Sequence, residues 1–254
     1  MSEQRKTAVI SGGAGGLGRA LSDLLLARGW HVVALDLDVT TLNPDVEGVA
    51  CDLTNRVARD AALAAIAARH PRMDLAVYNA GITQIGGFDD LDEDTHRKVM
   101  EINYFAAMAM AQAFLRNIRA ARGTHLAISS VAGFAPLHHR VAYAASKHAL
   151  GGAFASLRSE ERAHGVRVQI AAPSFVATNI GNAQQQENGI ARPGSAPDGV
   201  DYMSPETAAA AILRGVDRGT PMNPIGRVAR LSWLLNRLSP RLFQMLMERN
   251  IAGR

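Results

Sequence analysis

The chain has 254 residues, 48% of them hydrophobic and 20% charged, with 23 glycines. That balance is a globular one and excludes collagen, a disordered chain or a disulfide-stapled secreted scaffold. The net charge is +4, but residues 227–254 carry six arginines against the single acid Glu248, a local +5; the body, at −1, has no electrostatic footprint for nucleic acid.

The polar start MSEQRK runs straight into TAVISGGAGGLG, which leaves no room for a secretory apolar segment. No apolar run approaches the roughly 18–20 residues that span a bilayer. Cys51 is the single cysteine, so an intramolecular disulfide is excluded and a reducing cytoplasm is the expected location.

Thr7–Ile10 is a short apolar run that feeds the glycine cluster Ser11–Gly18. Arg19–Arg28 follows with Leu21, Leu24 and Leu25 at helical spacing and stops at Gly29. Val32–Leu35 reads as a second buried strand ending at Asp36, and Val46–Cys51 as a third ending at Asp52-Leu53. A helix over Val57–Arg69, a strand over Leu75–Tyr78 closed by Asn79-Ala80-Gly81, and one long helix over Glu93–Arg119 come next. Thr124–Ser129 then reads as a strand, Val141–His164 as a helix, and Val166–Ala172 as a strand stopped by Pro173. Apolar strands alternating with helices predict an α/β domain, a single Rossmann-type doubly wound parallel sheet covered on both faces. The Gln-, Asn-, Gly- and Pro-rich stretch 179–204 breaks this rhythm and reads as a substrate lid. Residues 1–226 are thus one catalytic domain and 227–254 a short helical extension of it.

Gly13-x-Gly15-x-x-Gly18 and Gly12-x-x-x-Gly16-x-Gly18 both fit dinucleotide-binding spacings, so this segment alone leaves the register open. In either, glycine lets the backbone approach a pyrophosphate whose charge rests on the next helix N-terminus. Asp36 stands at the end of the next predicted strand after Gly18, where a carboxylate accepts the adenosine ribose hydroxyls and repels a 2′-phosphate. With no Arg or Lys in Gly12–Gly18, the expected cofactor is NAD rather than NADP.

Tyr143 and Lys147 are four apart on a predicted helix and share a face. An ammonium beside a phenol favours the phenolate, so the pair predicts a tyrosine pKa below about 10 and a proton carrier near neutral pH. Ser130 closes the predicted strand that precedes this helix, and Asn103 lies further upstream, inside the long helix.

With these positions the chain resembles the short-chain dehydrogenase/reductase family, in its subgroup with chains near this length. The resemblance rests on Gly12-x-x-x-Gly16-Leu17-Gly18, Asp52-Leu53, Asn79-Ala80-Gly81, Asn103, Ser130, Tyr143-x-x-x-Lys147 and Pro173, in the family's order from Gly12 to Pro173. It favours the second glycine register. It implies that Tyr143 is the general acid/base, that Ser130 hydrogen-bonds the same substrate oxygen, and that Lys147 binds the nicotinamide ribose. It implies that Asn103 holds a water linking Lys147 to solvent. It places Gly15 and Leu17 on the pyrophosphate, Asp52 and Leu53 on the adenine, and Asn79 with Ala80 on the adenosine side. Pro173, Val176, Thr178 and Ile180 are implied to close over the nicotinamide and its phosphate.

Three departures stand out. Tyr78 replaces a usual asparagine, Ser174 a usual glycine, and Met222–Gly226, with Pro224 inside it, reads poorly as a final strand. Gln84, Leu137, His138, Ser174 and Phe175 are the expected substrate residues, and Phe134, Leu137, Phe175 and Ile180 point to an apolar, bulky substrate. The expected function is NAD-dependent interconversion of a secondary alcohol and a ketone. The alternatives are an NADP-dependent carbonyl reductase and, in another class, a non-catalytic dinucleotide sensor or scaffold. No metal is expected, since adjacent His138 and His139 diverge in an extended chain and no paired Cys/His spacing occurs. The partners expected are a small-molecule substrate and copies of the chain in a homodimer or homotetramer, with no nucleic acid. In the extension, Leu231, Leu234, Leu235 and Leu238 form one helical stripe, broken at Ser239-Pro240, and Leu242, Met245 and Leu246 begin another. These helices read as cover for the domain or a subunit contact, as a lid, or as a weak membrane-surface contact.

Overall fold

The structure is a computed structural model that describes residues 5–178, 190–191 and 202–252. Seven strands form one parallel sheet: β1 (Thr7–Ser11), β2 (His31–Asp36), β3 (Glu47–Ala50), β4 (Leu75–Tyr78), β6 (Thr124–Ile128), β7 (Arg167–Pro173) and β9 (Met222–Ile225). Their order is β3-β2-β1-β4-β6-β7-β9, so the winding reverses between β1 and β4, the crevice where such sheets bind ligands. A two-residue antiparallel pair joins β5 (Thr83–Gln84) to β8 (Ile190–Ala191).

Alternation along each strand divides the core in two. Val9, Val33, Leu35, Ala76 and Tyr78 face α2 (Arg56–Arg69), α4 (Ala106–Ala121) and α5 (Val141–Glu161), against Leu63, Phe114 and Phe154. Ala8, Ile10, Val32, Ala34 and Val77 face α1 (Gly16–Ala27) and α6 (Pro205–Asp217), against Leu21, Leu25 and Ile212. Each large aliphatic side chain so buried stabilises the fold by about 1.5–3 kcal/mol.

The sheet includes the segment that reads poorly as a strand. Ile170 pairs with Met222 and Ala172 with Pro224. β9 is the outermost strand, and an edge position tolerates proline because one row of its amides has no partner strand. The long helix is also divided. α3 (Glu93–Met100) passes into α4 through a π-helical turn, Glu101–Phe105, that contains the buried Asn103. Such turns insert an extra residue into the helical ladder and concentrate at functional sites.

Tyr78 leaves the cofactor side altogether. Its hydroxyl hydrogen-bonds His125 Nδ1 at 2.6 Å in the core, and its ring lies 4.8 Å from that of Phe154. Burial holds His125 down at about 4, so the ring is neutral at pH 7, and among the described residues its Nε2 has no partner. Tyr78→Phe should strip Nδ1 of its partner as well and lower stability by about 1–3 kcal/mol, with turnover unchanged. Urea denaturation checks this, and an unaltered midpoint would show that the bond contributes nothing.

The extension forms a hairpin of α7 (Arg227–Leu238) and α8 (Pro240–Ala252). Ala229 and Phe243 pack on Val131 and Ala135 in the loop after β6, and Asn236 Nδ2 donates to Phe134 O at 2.6 Å.

Candidate active site

A cavity of about 920 Å³ lies along the C-terminal ends of the strands. At one end Gly12, Gly15, Gly16 and Leu17 line it, then Asp36, Asp52 and Leu53; at the other stand Ser130, Tyr143 and Lys147. Gly12 has φ +65°, and a Cβ there would stand 2.8 Å from Ala80 Cα; a Cβ on Gly18 would stand 2.2 Å from Gly12 O. Gly18 is common to both spacings, but a Cβ on Gly16 would stand 2.9 Å from Thr178 O whereas one on Gly15 would have 3.5 Å to Gly12 O, which fits the Gly12-x-x-x-Gly16-x-Gly18 register. Gly18 packs beneath the turn, and it is not part of the cavity wall.

α1 begins inside the glycine cluster, ahead of its predicted start at Arg19, with Gly15 as an N-cap that offers no side chain. Its first-turn amides are left for a ligand, and the dipole favours an anion there. Asn79 Nδ2 donates to Gly12 O at 2.9 Å, and the Ser11 hydroxyl accepts from the amides of Asn79 and Ala80, tying the turn to the end of β4. The Asp36 carboxylate accepts from the amides of Ala14 and Leu37 at 2.9 and 2.8 Å. Each of its oxygens retains a second lone pair for a ribose hydroxyl. Hydrogen bonds from Thr54 hold the Asp52 carboxyl below its usual range. Bare amides, an open glycine turn and a strand-end acid fit a dinucleotide along this half of the cavity.

At the other half, Tyr143 and Lys147 come from α5 and Ser130 from the end of β6. The Ser130 hydroxyl hydrogen-bonds the Tyr143 phenol and also accepts from Ala132 N at 3.3 Å. Lys147 Nζ donates to Ile128 O at 2.9 Å and lies 5.9 Å from the centre of the Tyr143 ring. Burial dominates both groups. It raises the phenol above 10, opposed by the Ser130 bond and the Arg140 charge, and it lowers the ammonium to about 8. The expectation that Lys147 depresses the phenol is corrected here: desolvation outweighs an ammonium at that distance.

Asn103 braces this cluster from behind. Its Oδ1 accepts from Ile82 N at 2.8 Å, and its Nδ2 donates to Ile82 O and to Ser146 Oγ, both at 2.9 Å. Ser146 Oγ donates onward to Tyr143 O at 2.7 Å. Ser146 thus links Asn103 to the Tyr143 turn, a connection with no signal in the sequence, where it is a helical serine beside Lys147.

Leu137, His138, Ser174 and Phe175 line the cavity as expected, as do Ala80, Pro173, Val176 and Thr178. Gln84 does not. It is fully buried, its Nε2 donates to Gly86 O and His139 O, and its Oε1 accepts from Ala142 N, so it holds two loops together. The two histidines do not diverge: His139 has φ +54°, which turns the chain back, and the rings stack at 3.7 Å on the cavity wall. Ile180 lies outside the described residues, as does the proposed lid apart from residues 190–191 and 202–204. Tyr202, from that stretch, reaches the wall and tilts against Phe175 at 5.6 Å. Val228, Leu231, Leu235, Phe243, Leu246 and Met247 bring the C-terminal hairpin onto the wall as well.

A second cluster lies at the opposite ends of the strands, where β2 and β3 begin. His31, Glu47 and His70 hold ligand atoms within 4.8 Å of one another, while Arg69 takes the other Glu47 oxygen at 2.7 Å. Sequence reading had no means to find it, because the three residues come from separate elements.

A doubly wound sheet with an open glycine turn and a Ser–Tyr–Lys cluster at one crevice fits an oxidoreductase of the nicotinamide-dinucleotide class. Residues 6–189 match the model of the short chain dehydrogenase family, and the chain belongs to that family. It is 30% identical over 263 residues to dehydrogenase/reductase SDR family member 7B of Xenopus laevis, covering 96% of this chain and 81% of that protein. Against several other vertebrate proteins of that name the match spans under two thirds of their length. It is 30% identical to D-threitol dehydrogenase of Mycolicibacterium smegmatis, over 86% of this chain and 88% of that one. Among solved structures, a Burkholderia cenocepacia short chain dehydrogenase in complex with NADP superposes with a TM-score of 0.83 at 23% identity, covering 97% and 99% of the two chains. Among the described residues, no helix is long and apolar enough to cross a membrane.

Proposed function

We propose that the protein interconverts secondary alcohols and ketones on apolar, fairly bulky substrates, with NAD as cofactor. The observation that carries this reading is the buried Tyr143 phenol, bonded to Ser130 beside Lys147, where the nucleotide half of the cavity meets an apolar half. Bound nicotinamide supplies the hydride acceptor or donor. Tyr143 takes the hydroxyl proton of the alcohol, or returns one to the ketone oxygen, while Ser130 holds that oxygen by a hydrogen bond. In this reading Lys147 binds the nicotinamide ribose, and Asn103, bonded to Ile82 and Ser146, braces the helix that carries Tyr143 and Lys147. A water at Asn103 that relays protons from Lys147 belongs to the same reading. A pure dinucleotide sensor has no use for such a desolvated proton-transfer group. Residues 1–226 act as the catalytic domain, assembled as a homodimer or homotetramer in the cytoplasm.

NAD is preferred because Asp36 faces the adenosine ribose position, and Arg19 is turned away to Ala14 O and Thr41 outside the cavity wall. NADP is the second reading, favoured by the NADP bound to the Burkholderia cenocepacia neighbour. Asp36→Ala should weaken NAD binding and narrow its advantage over NADP. Faster wild-type turnover with NADP at equal subsaturating concentrations would overturn the preference. A panel of secondary alcohols, followed by absorbance of the reduced cofactor, tests the reaction class and ranks substrates by bulk.

A further inference from the structure

The C-terminal hairpin leaves an apolar face uncovered. Six of the twelve exposed large apolar side chains among the described residues belong to it: Leu231, Leu234 and Leu238 on α7, and Leu242, Met245 and Leu246 on α8. Leu234 is 51% exposed and Leu238 74%. Ala229, Leu235, Phe243 and Met247 occupy the inner face, packed on the domain, so helical periodicity gathers the others on the outer side. Arginines flank that outer side. Arg230 and Arg237 border the α7 stripe, Arg241 and Arg249 lie on α8, and all four are exposed. The Arg237 guanidinium lies 5.3 Å over the Trp233 ring, an amphipathic pair suited to a water–lipid boundary. Leu231 and Leu246 also belong to the cavity wall, so the face continues into the apolar end of the site.

We propose that this face seats the protein on an anionic lipid bilayer, with α7 and α8 in the plane of the interface, and that apolar substrate enters the cavity from that side. A basic, amphipathic helical surface with its leucines outward is what an anionic interface binds. A second copy fits it less well. A two-fold contact sets the same patch against itself, and with Glu248 the only acid in residues 227–254 it would press arginine against arginine. The docking rests on exposure and charge alone; the route of entry rests on the proposed function.

The test is co-sedimentation of the full chain, without cofactor or substrate, with vesicles of phosphatidylglycerol and phosphatidylcholine in equal parts. The wild type should pellet at low salt, and binding should fall at least about tenfold at high salt, where the charges are screened, or with phosphatidylcholine alone. The double variant Leu234→Glu/Leu238→Glu, at positions off the cavity wall, should lose at least about tenfold in vesicle binding. It should keep its thermal unfolding midpoint and its turnover of a short, water-soluble alcohol. Its turnover of a long-chain alcohol delivered in vesicles should drop. A wild type that stays in the supernatant with anionic vesicles overturns the docking. So does light scattering that finds a wild-type dimer dissolved by the double variant while vesicles are ignored, since the face then belongs to a second copy. Normal docking with no turnover of any alcohol upholds the docking and overturns the proposed function.

Discussion

Tyr143→Phe should lower turnover by at least about 10²–10⁴-fold, the usual contribution of a positioned acid/base group, and leave NAD affinity nearly unchanged. The substitution removes one hydroxyl from a ring that is already buried, so packing survives and the proton carrier does not. On the proposed function Ser130 remains to hold the substrate oxygen, but it offers no group able to accept the proton at neutral pH. The raised phenol pKa gives the sign of the pH dependence. In the direction of alcohol oxidation the active form is the phenolate, so wild-type turnover should climb with pH through the alkaline range. Steady-state rates across pH, paired with calorimetric NAD binding, read both effects. Turnover within about tenfold of wild type would move the proton to another residue.

The grouping of these side chains in one cavity was legible because it rests on local features. A glycine turn before a helix, an acid at a strand end and a tyrosine one helical turn before a lysine are each set by a few consecutive residues, and strand order then gathers them at one edge. What was not legible depends on contacts between distant segments. Pro224 argues against a strand only if the strand is interior, and being outermost is a property of the sheet. The break in the long helix at Glu101–Phe105 accompanies bonds from Asn103 to Ile82 and Ser146, neither of them near in sequence. Gln84 turns inward because the amide of Ala142 is there to meet it. His138 and His139 share a wall because His139 adopts a left-handed backbone that no pattern of neighbours demands. The C-terminal stripes were visible as helices, but only tertiary packing decides that Ala229 and Phe243 face inward while Leu234 and Leu238 face out.

Lys147→Met should abolish most activity and yet make the folded protein more stable at neutral pH. Methionine matches the length of lysine and fills irregular apolar space, so the change mainly deletes a buried charge. Turnover should fall by about 10²–10³-fold, the usual loss when one positioned donor is taken from a reacting centre. Stability moves the other way. In the fold the Lys147 ammonium is pushed down from 10.5 to about 8 by burial, which means that the charged form is less favourable there than in the unfolded chain. Each unit of such a shift corresponds to about 1.4 kcal/mol, partly offset by the lost bond to Ile128 O, worth about 0.5–1.5 kcal/mol. A net gain on the order of 1–3 kcal/mol at pH 7 follows. Between pH 8 and 10.5 the unfolded chain holds the extra proton, so wild-type stability rises with pH through that window. The variant lacks this rise, and its advantage is full below 8 and gone near 10.5. Urea unfolding at pH 7 and pH 10 reads the difference directly. A variant less stable than wild type at pH 7 would mean that the bond to Ile128 outweighs the cost of burying the charge.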